Sequence, residues 1–175
     1  MIGQVKREIE IHSHFDHPHI LKMFGFFWDQ KRIYYIMEYA PGGDLFDHLK
    51  KARKFDEKKA AKFMKQIIEA MIYIHSWSAL HRDIKPENIL VSANDTLKIS
   101  DFGWSARILA KRKTFCGTLD YNSPEMIENC EYGKEIDIWS MGVLAYELTT
   151  GKTPFFSSSV KQLHENIRHS KIKFP

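Results

Sequence analysis

Leu80 to Val91 reads LHRDIKPENILV. Its two apolar ends enclose His81, Arg82, Asp83, Lys85, Glu87 and Asn88, so an acid, several cations and an amide share one short frame. A solvated loop has no use for the apolar ends, and a core strand excludes the charges. The stretch therefore reads as a loop whose ends are anchored and whose polar side chains are held to a task.

The neighbouring sequence says which task. Asn88 to Ser92 and Thr96 to Ser100 are short strand-forming runs around Ala-Asn-Asp, which predicts a hairpin, and Asp-Phe-Gly (Asp101 to Gly103) follows the second run directly. Asp83, Asn88 and Asp101 then stand at the ends of one hairpin and face one space. A general base, an amide oxygen and a second carboxylate suit a site that orients a hydroxyl and holds Mg²⁺ on phosphate oxygens, with Lys85 adding positive charge beside a transferred phosphoryl group. Alone, Asp-Phe-Gly is an ordinary turn. In order with H-R-D-x-K-x-x-N, with Ser-Pro-Glu at Ser123 to Glu125 and with D-x-W-S-x-G at Asp137 to Gly142, it is specific.

Composition bounds the rest. The chain has 175 residues, 43% of them hydrophobic, enough for a folded core. No run approaches the length of a membrane span, and Lys6, Arg7, Glu8 and Glu10 interrupt any signal-peptide pattern at the start. Cys116 and Cys130 have no metal-ligand spacing, as expected for a reducing compartment. A net charge of +4 from 26 basic and 22 acidic residues, well mixed, gives no argument for nucleic acid. The expected partners include neither nucleic acid nor a membrane.

Strands come early and helices late. Met1 to His14 has helical spacing, Ile20 to Trp28 and Arg32 to Tyr39 read as a hairpin, and Ala-Pro-Gly-Gly (Ala40 to Gly43) is a break. Asp56 to Ser76 is the clearest helix, through Phe63, Ile67, Ala70, Met71 and Ile74. Glu135 to Thr150 is an apolar helix stopped by Gly151, and a final amphipathic helix carries Val160, Leu163 and Ile167. The histidines of HSHFDHPH (His12, His14, His17 and His19) invite a metal reading. His12 and His14, two apart, diverge on a helix, so a helix end leading into a turn is the better reading.

These motifs resemble the eukaryotic protein kinase family over the whole chain. Lys-Pro-Glu-Asn after Asp83 is similar to the serine/threonine branch. KISDFGWSAR (Lys98 to Arg107), TFCGTLDYNSPEM (Thr114 to Met126) and EYAPGG (Glu38 to Gly43) resemble the Aurora mitotic kinases, and GGDLFDHL and TGKTPFF are similar to cyclic-AMP-dependent kinase. Ser123 and Asn122 depart from the family pattern. The implied fold is α+β and bilobal, truncated to a β-rich remnant of the N-lobe with the hinge (residues 1–40) and a mostly helical C-lobe (residues 41–175) without its last helices. The Gly-rich loop and the strand bearing the ATP lysine precede the first helix in the family, so the chain reads as part of a longer kinase.

The resemblance implies roles residue by residue. Asp83 is the base for the substrate hydroxyl, Lys85 neutralises the moving phosphate, and Thr118 bridges Lys85 and Asp83. Asn88 and Asp101 hold Mg²⁺. Met37 is the gatekeeper, the backbone of Glu38, Tyr39 and Ala40 meets adenine, Leu90 floors the adenine slot, and Glu87 belongs to the ATP-binding set. Glu8 pairs with the absent lysine. Thr114 is expected to be phosphorylated and to gather Arg7, Arg82 and Arg112. Asp44, Glu87 and Glu147 match acids that receive arginines preceding a phospho-acceptor. Glu147 also stands out from the residues themselves, because a carboxylate in an apolar helix must reach a cleft or have a fixed partner. The stripe Phe24, Phe26 and Trp28 is expected to dock a hydrophobic activator peptide of a spindle or centromere protein. The implied location is the nucleus, chromosomes and spindle. The competing reading is a non-catalytic protein that keeps the fold for binding alone.

Overall fold

The longest helix of the described residues is set by its own sequence. The computed structural model describes residues 9–107, 118–170 and 172–174, and α2 spans Glu57–Ser76, after α1 at Leu45–Ala52. Asp56 caps α2, its Oδ1 accepting from Lys59 N at 2.8 Å, and Asp44 caps α1 in the same way through Asp47 N at 2.8 Å. Such caps stabilise a helix by about 1 kcal/mol each. Phe63, Ile67, Ala70, Met71 and Ile74 form the buried face of α2, and burying each of the larger ones contributes about 1.5–3 kcal/mol.

That face packs on α4, Glu135–Thr150, through Val143, Leu144 and Leu148, and the core continues to Leu45 and Leu49 of α1. The short α3 (Pro124–Ile127) precedes α4, and α5 (Val160–His169) follows it. Leu163 and Ile167 of α5 are buried as the spacing predicts, whereas Val160 lies exposed in its first turn. Among the described residues no helix is long and apolar enough to cross a membrane.

Among the described residues, three two-stranded antiparallel pairs account for the strands. The early hairpin joins β1 (Met23–Trp28) to β2 (Ile33–Met37); β1 starts later than its expected run and ends with it at Trp28, while β2 is shorter than its run at both ends. Its turn is made by Asp29, whose Oδ1 accepts from Lys31 N and Arg32 N, both at 2.7 Å. A register shift between Met23 and Gly25 leaves Phe24 in a bulge. The expected three-ring stripe is thus interrupted: Phe26 and Trp28 stack with centroids 6.1 Å apart, and Phe27 stacks on Tyr34 of the other strand. The short β3 (Ala79–Leu80) pairs with β6 (Ala106–Arg107).

The pair that positions the site is β4 (Ile89–Val91) with β5 (Leu97–Ile99). Both outer edges of this hairpin are sewn to earlier chain. Gly42 N and Gly43 O bond Val91 on the β4 side, and Leu21 N and His19 O bond Ile99 on the β5 side. Gln66 of α2 holds the hairpin from beneath, its Oε1 accepting from Leu97 N at 2.8 Å and its Nε2 donating to Asp95 O at 3.1 Å. Residues 9–12 are helical, as expected there; Glu8 and Arg7 lie outside the described residues. His12 ends that helix buried, with Nε2 donating to Leu21 O at 2.6 Å. Among the described residues no cluster of His, Cys, Asp and Glu could hold a metal by itself.

Gly151 stops α4 at φ +78°, and a Cβ there would collide with the carbonyl oxygen of Arg53. Both the left-handed backbone and the contact require glycine. Gly151→Ala is expected to cost more than about 1 kcal/mol of stability, read as a lowered urea midpoint at constant m-value.

Candidate active site

The segment over His81 to Asn88 is held from below by one carboxylate. Asp137, in the first turn of α4, has no exposed surface. Its Oδ1 accepts from Arg82 N at 2.8 Å, and its Oδ2 accepts from His81 N at 3.1 Å and from His75 Nε2 at 2.8 Å. A buried anion survives only with such a donor set. These bonds hold Arg82 at φ +71°, a strained region for a non-glycine residue. The Arg82 side chain is buried as well: its Nε donates to Trp104 O and its Nη1 to Tyr132 Oη at 3.0 Å. Thr114, expected to gather Arg82 with Arg7 and Arg112, lies outside the described residues, as do those two arginines.

His81 is locked as the neutral imidazole. Its Nε2 faces Ser100 O at 3.0 Å, which can only accept, and its Nδ1 faces Asp83 N at 3.3 Å, which can only donate. Burial pushes its pKa below the usual histidine range, against the pull of Asp137. His81 and His12 both pack on Phe102, with centroids 4.9 and 4.3 Å away. Burial likewise lowers His12 to about 4, so a fully buried Phe102 sits between two uncharged imidazoles.

Asp83 is buried with its two oxygens in different circumstances. Oδ2 lies 3.0 Å from Lys85 Nζ and accepts from Asn88 Nδ2 at 2.8 Å. Oδ1 is buried and has no hydrogen-bond partner among the described residues. Lys85 Nζ also donates to Thr118 Oγ1 at 2.8 Å, so Thr118 reaches Asp83 through the lysine. Asn88 donates a second bond to Asp83 O at 2.9 Å, which leaves its amide oxygen as the donor for a cation. Asp101 stands at φ +58° and accepts from Gly103 N at 3.1 Å. An amide oxygen and a carboxylate are hard donors, and two protein oxygens completed by phosphate oxygens are what Mg²⁺ takes. The donor set fits that ion.

Met37 ends β2, partly buried, opposite Met23. Glu38 follows, with its backbone N donating to Lys22 O at 2.8 Å and its carboxylate paired with Lys98. Tyr39 is exposed and Ala40 partly buried, while Leu90 is half-buried in β4 opposite Lys98. These residues flank the same hairpin that carries Asn88 and Asp101 at its ends.

An acidic cavity of about 420 Å³ adjoins Thr118, lined by Glu87, Asp120, Tyr121 and Glu147 with Phe46 and Phe156. Glu147 both reaches this cleft and has a fixed partner, the Tyr121 hydroxyl, which donates to its Oε2. Burial pushes the Glu147 carboxyl above the usual carboxylate range; the Tyr121 bond opposes this, and Glu87 and Asp120 add to it. Asp44 is not in the lining, since it caps α1; Asp120 stands among the acids in its place. A larger cavity, about 1020 Å³ and walled by Phe55, Trp139, Tyr146 and Phe155, contains none of the candidate catalytic residues. Sequence reading passed over Asp137, His75, Asp120 and Tyr121 as functional residues. The signal that marks Glu147, a carboxylate inside an apolar helix, was present for Asp137 too.

The protein kinase domain family matches residues 2–174, and the chain belongs to that family. It is 47% identical to Aurora kinase A-A of Xenopus laevis, over 98% of this chain and 42% of that protein. It is 46% identical to the serine/threonine-protein kinase Aurora-2 of Arabidopsis thaliana, over 98% and 61%, and 48% identical to Aurora kinase B of Mus musculus, over 98% and 50%. The chain thus spans 42–61% of the length of these relatives.

Asp137→Asn keeps the shape but points an amide N–H₂ at donors. Each buried N–H left unpaired costs about 1–3 kcal/mol, so the variant is expected to lower the urea midpoint well below wild type. Glu147→Gln tests the raised carboxyl. A group whose folded pKa is raised contributes stability that is present below its unfolded pKa and lost as pH rises through the folded one. Urea unfolding from pH 4 upward is therefore expected to show wild type losing stability relative to Glu147→Gln; a constant difference would contradict the shift.

Proposed function

We propose that this chain carries the phosphoryl-transfer site of an Aurora-type protein serine/threonine kinase, which uses ATP with Mg²⁺. The observation that carries this reading is the asymmetry of Asp83. Its Oδ2 is occupied by Lys85 and Asn88, while its buried Oδ1 has no partner among the described residues. A buried carboxylate oxygen without a donor is costly, and a substrate hydroxyl is the donor it lacks. Asp83 then accepts or orients the proton as the serine or threonine oxygen bonds to the γ-phosphorus and the bond to the ADP oxygen breaks. Lys85, held by Thr118, balances charge on the moving group. Bound Mg²⁺ supplies charge neutralisation at the phosphates, with Asn88 and Asp101 as its protein ligands. The hinge backbone over Glu38 to Ala40, with Met37 and Leu90, takes the adenine, and Glu87 sits beside the nucleotide.

The acidic cavity supports protein substrates with arginine ahead of the acceptor, since Glu87, Asp120 and Glu147 outnumber Lys152 in its described lining beside Thr118. Asp44, at the near end of α1, is proposed to add to the same field. We further propose mitotic chromosome or spindle proteins as targets, Thr114 as a phosphorylation site, and Phe26 and Trp28 as a seat for an activator peptide; the resemblance of the motifs to the Aurora kinases and the exposure of the two rings support this reading. A binding-only role would give no use to the Asp83, Lys85 and Asn88 constellation.

The test is phosphate transfer by the full-length protein to peptides with arginine two and three residues before serine. Asp83→Asn is expected to lower kcat by about 10²–10⁴ while Mg²⁺–ATP still binds. Retained turnover would overturn the role of Asp83, and a preference for proline-directed or acidic peptides would overturn the substrate class.

A further inference from the structure

Glu38 and Lys98 form an ion pair for which the phosphoryl-transfer chemistry has no use. Lys98 Nζ lies 2.7 Å from Glu38 Oε1 and 2.9 Å from Oε2, so the ammonium is held by both oxygens. The side chains are 13% and 26% exposed, against 45% and 79% for the nearby Lys22–Asp16 pair. A partly desolvated, two-point contact holds its geometry where an exposed pair does not.

The two ends belong to different parts of the nucleotide site. Glu38 opens the hinge and is fixed twice more on Lys22: its backbone N donates to Lys22 O at 2.8 Å, and its Oε2 accepts from Lys22 N at 3.2 Å. Lys98 sits at the centre of β5, opposite Leu90, and β5 runs on through Ser100 into Asp101. The neighbouring residues close a ring: Leu21 N bonds Ile99 O at 2.8 Å, and Ile99 N bonds His19 O at 2.9 Å. The hinge, the segment over 19–22 and the strand leading to Asp101 are thus one hydrogen-bonded unit, and the ion pair is its only direct side-chain tie between hinge and β5 among the bonds described.

We propose that the Glu38–Lys98 pair is a positioning element that fixes the span between the hinge backbone and the Asp101 carboxylate, so that a metal–nucleotide meets both ends of its site at once. This rests on the kinase reading and adds to it. Neither side chain touches the transferred group. Their effect is preorganisation: a ligand gripped at both ends gains from a fixed span, whereas a ligand gripped only at the hinge does not. An ion pair that merely stabilised the fold would treat the two kinds of ligand alike.

The experiment is calorimetric titration of the full-length protein with the Mg²⁺ complex of a non-hydrolysable ATP analogue and, separately, with adenosine, alongside thermal unfolding without ligand. Lys98→Met and Glu38→Gln are each expected to weaken the Mg²⁺–nucleotide about tenfold and the double variant no further. Adenosine affinity is expected to change by less than about twofold, and Lys98→Arg to stay near wild type. Equal weakening of both ligands, or a lowered unfolding temperature with unchanged Mg²⁺–nucleotide affinity, would overturn the proposal. If Glu38→Gln fails to fold, Lys98→Met decides alone, because it leaves the bonds from Glu38 to Lys22 intact. If wild type binds neither ligand, the kinase reading falls first and this inference with it.

Discussion

The carboxylate of Asp137, fully withdrawn from water, is the constraint on which the rest of the site depends. An anion in that position is expensive unless donors use its lone pairs. Two backbone N–H groups of the loop and the His75 ring use them. The apolar packing of α2 on α4 fixes where His75 and Asp137 stand, so the core dictates the position of the loop through a handful of polar bonds. The strained backbone of Arg82 is tolerated because those bonds over-determine it.

Above that platform the charges are sorted. His81 and His12 are held neutral by burial, so among the described residues the cation drawn onto Asp83 is Lys85. One oxygen of Asp83 is consumed in holding the lysine and the amide, and the other has no donor among the described residues. Fixing one half of a carboxylate while leaving the other half open is a way to aim it without satisfying it. The same separation recurs in the acidic cavity, where Tyr121 holds Glu147 at one oxygen while the carboxyl group still lines the cleft.

The β4–β5 hairpin carries the second half of the site and owes its order to its edges. A three-residue strand pair is too short to be stable in isolation. Here it is flanked by residues 42–44 on one side and 19–21 on the other, and Gln66 supports its turn. The hinge and Asp101 thereby share one frame, with Glu38 and Lys98 bridging it directly.

Much of this was legible in the chain itself. Helical periodicity marked α2 and α4 to within a residue, since apolar spacing and caps are local properties, and Gly151 announced the end of α4 for the same reason. The polar residues of LHRDIKPENILV and Asp101 were recognisable because the chemistry confines them to short, ordered motifs. The outcome for Asp44 and Asp120 was not legible: both are acids near turns, and only the packing of the Leu119–Tyr121 turn against α4 puts one in the cavity and leaves the other as a helix cap. Nor did periodicity reveal the bulge at Phe24, which depends on how β1 pairs with β2. The sequence by itself determined which residues have the chemistry for the task and which helices would form. The tertiary structure alone decided which donor meets which acceptor, because Asp137 and His81, or Glu38 and Lys98, are far apart along the chain and are brought together only when apolar burial has fixed the elements that carry them.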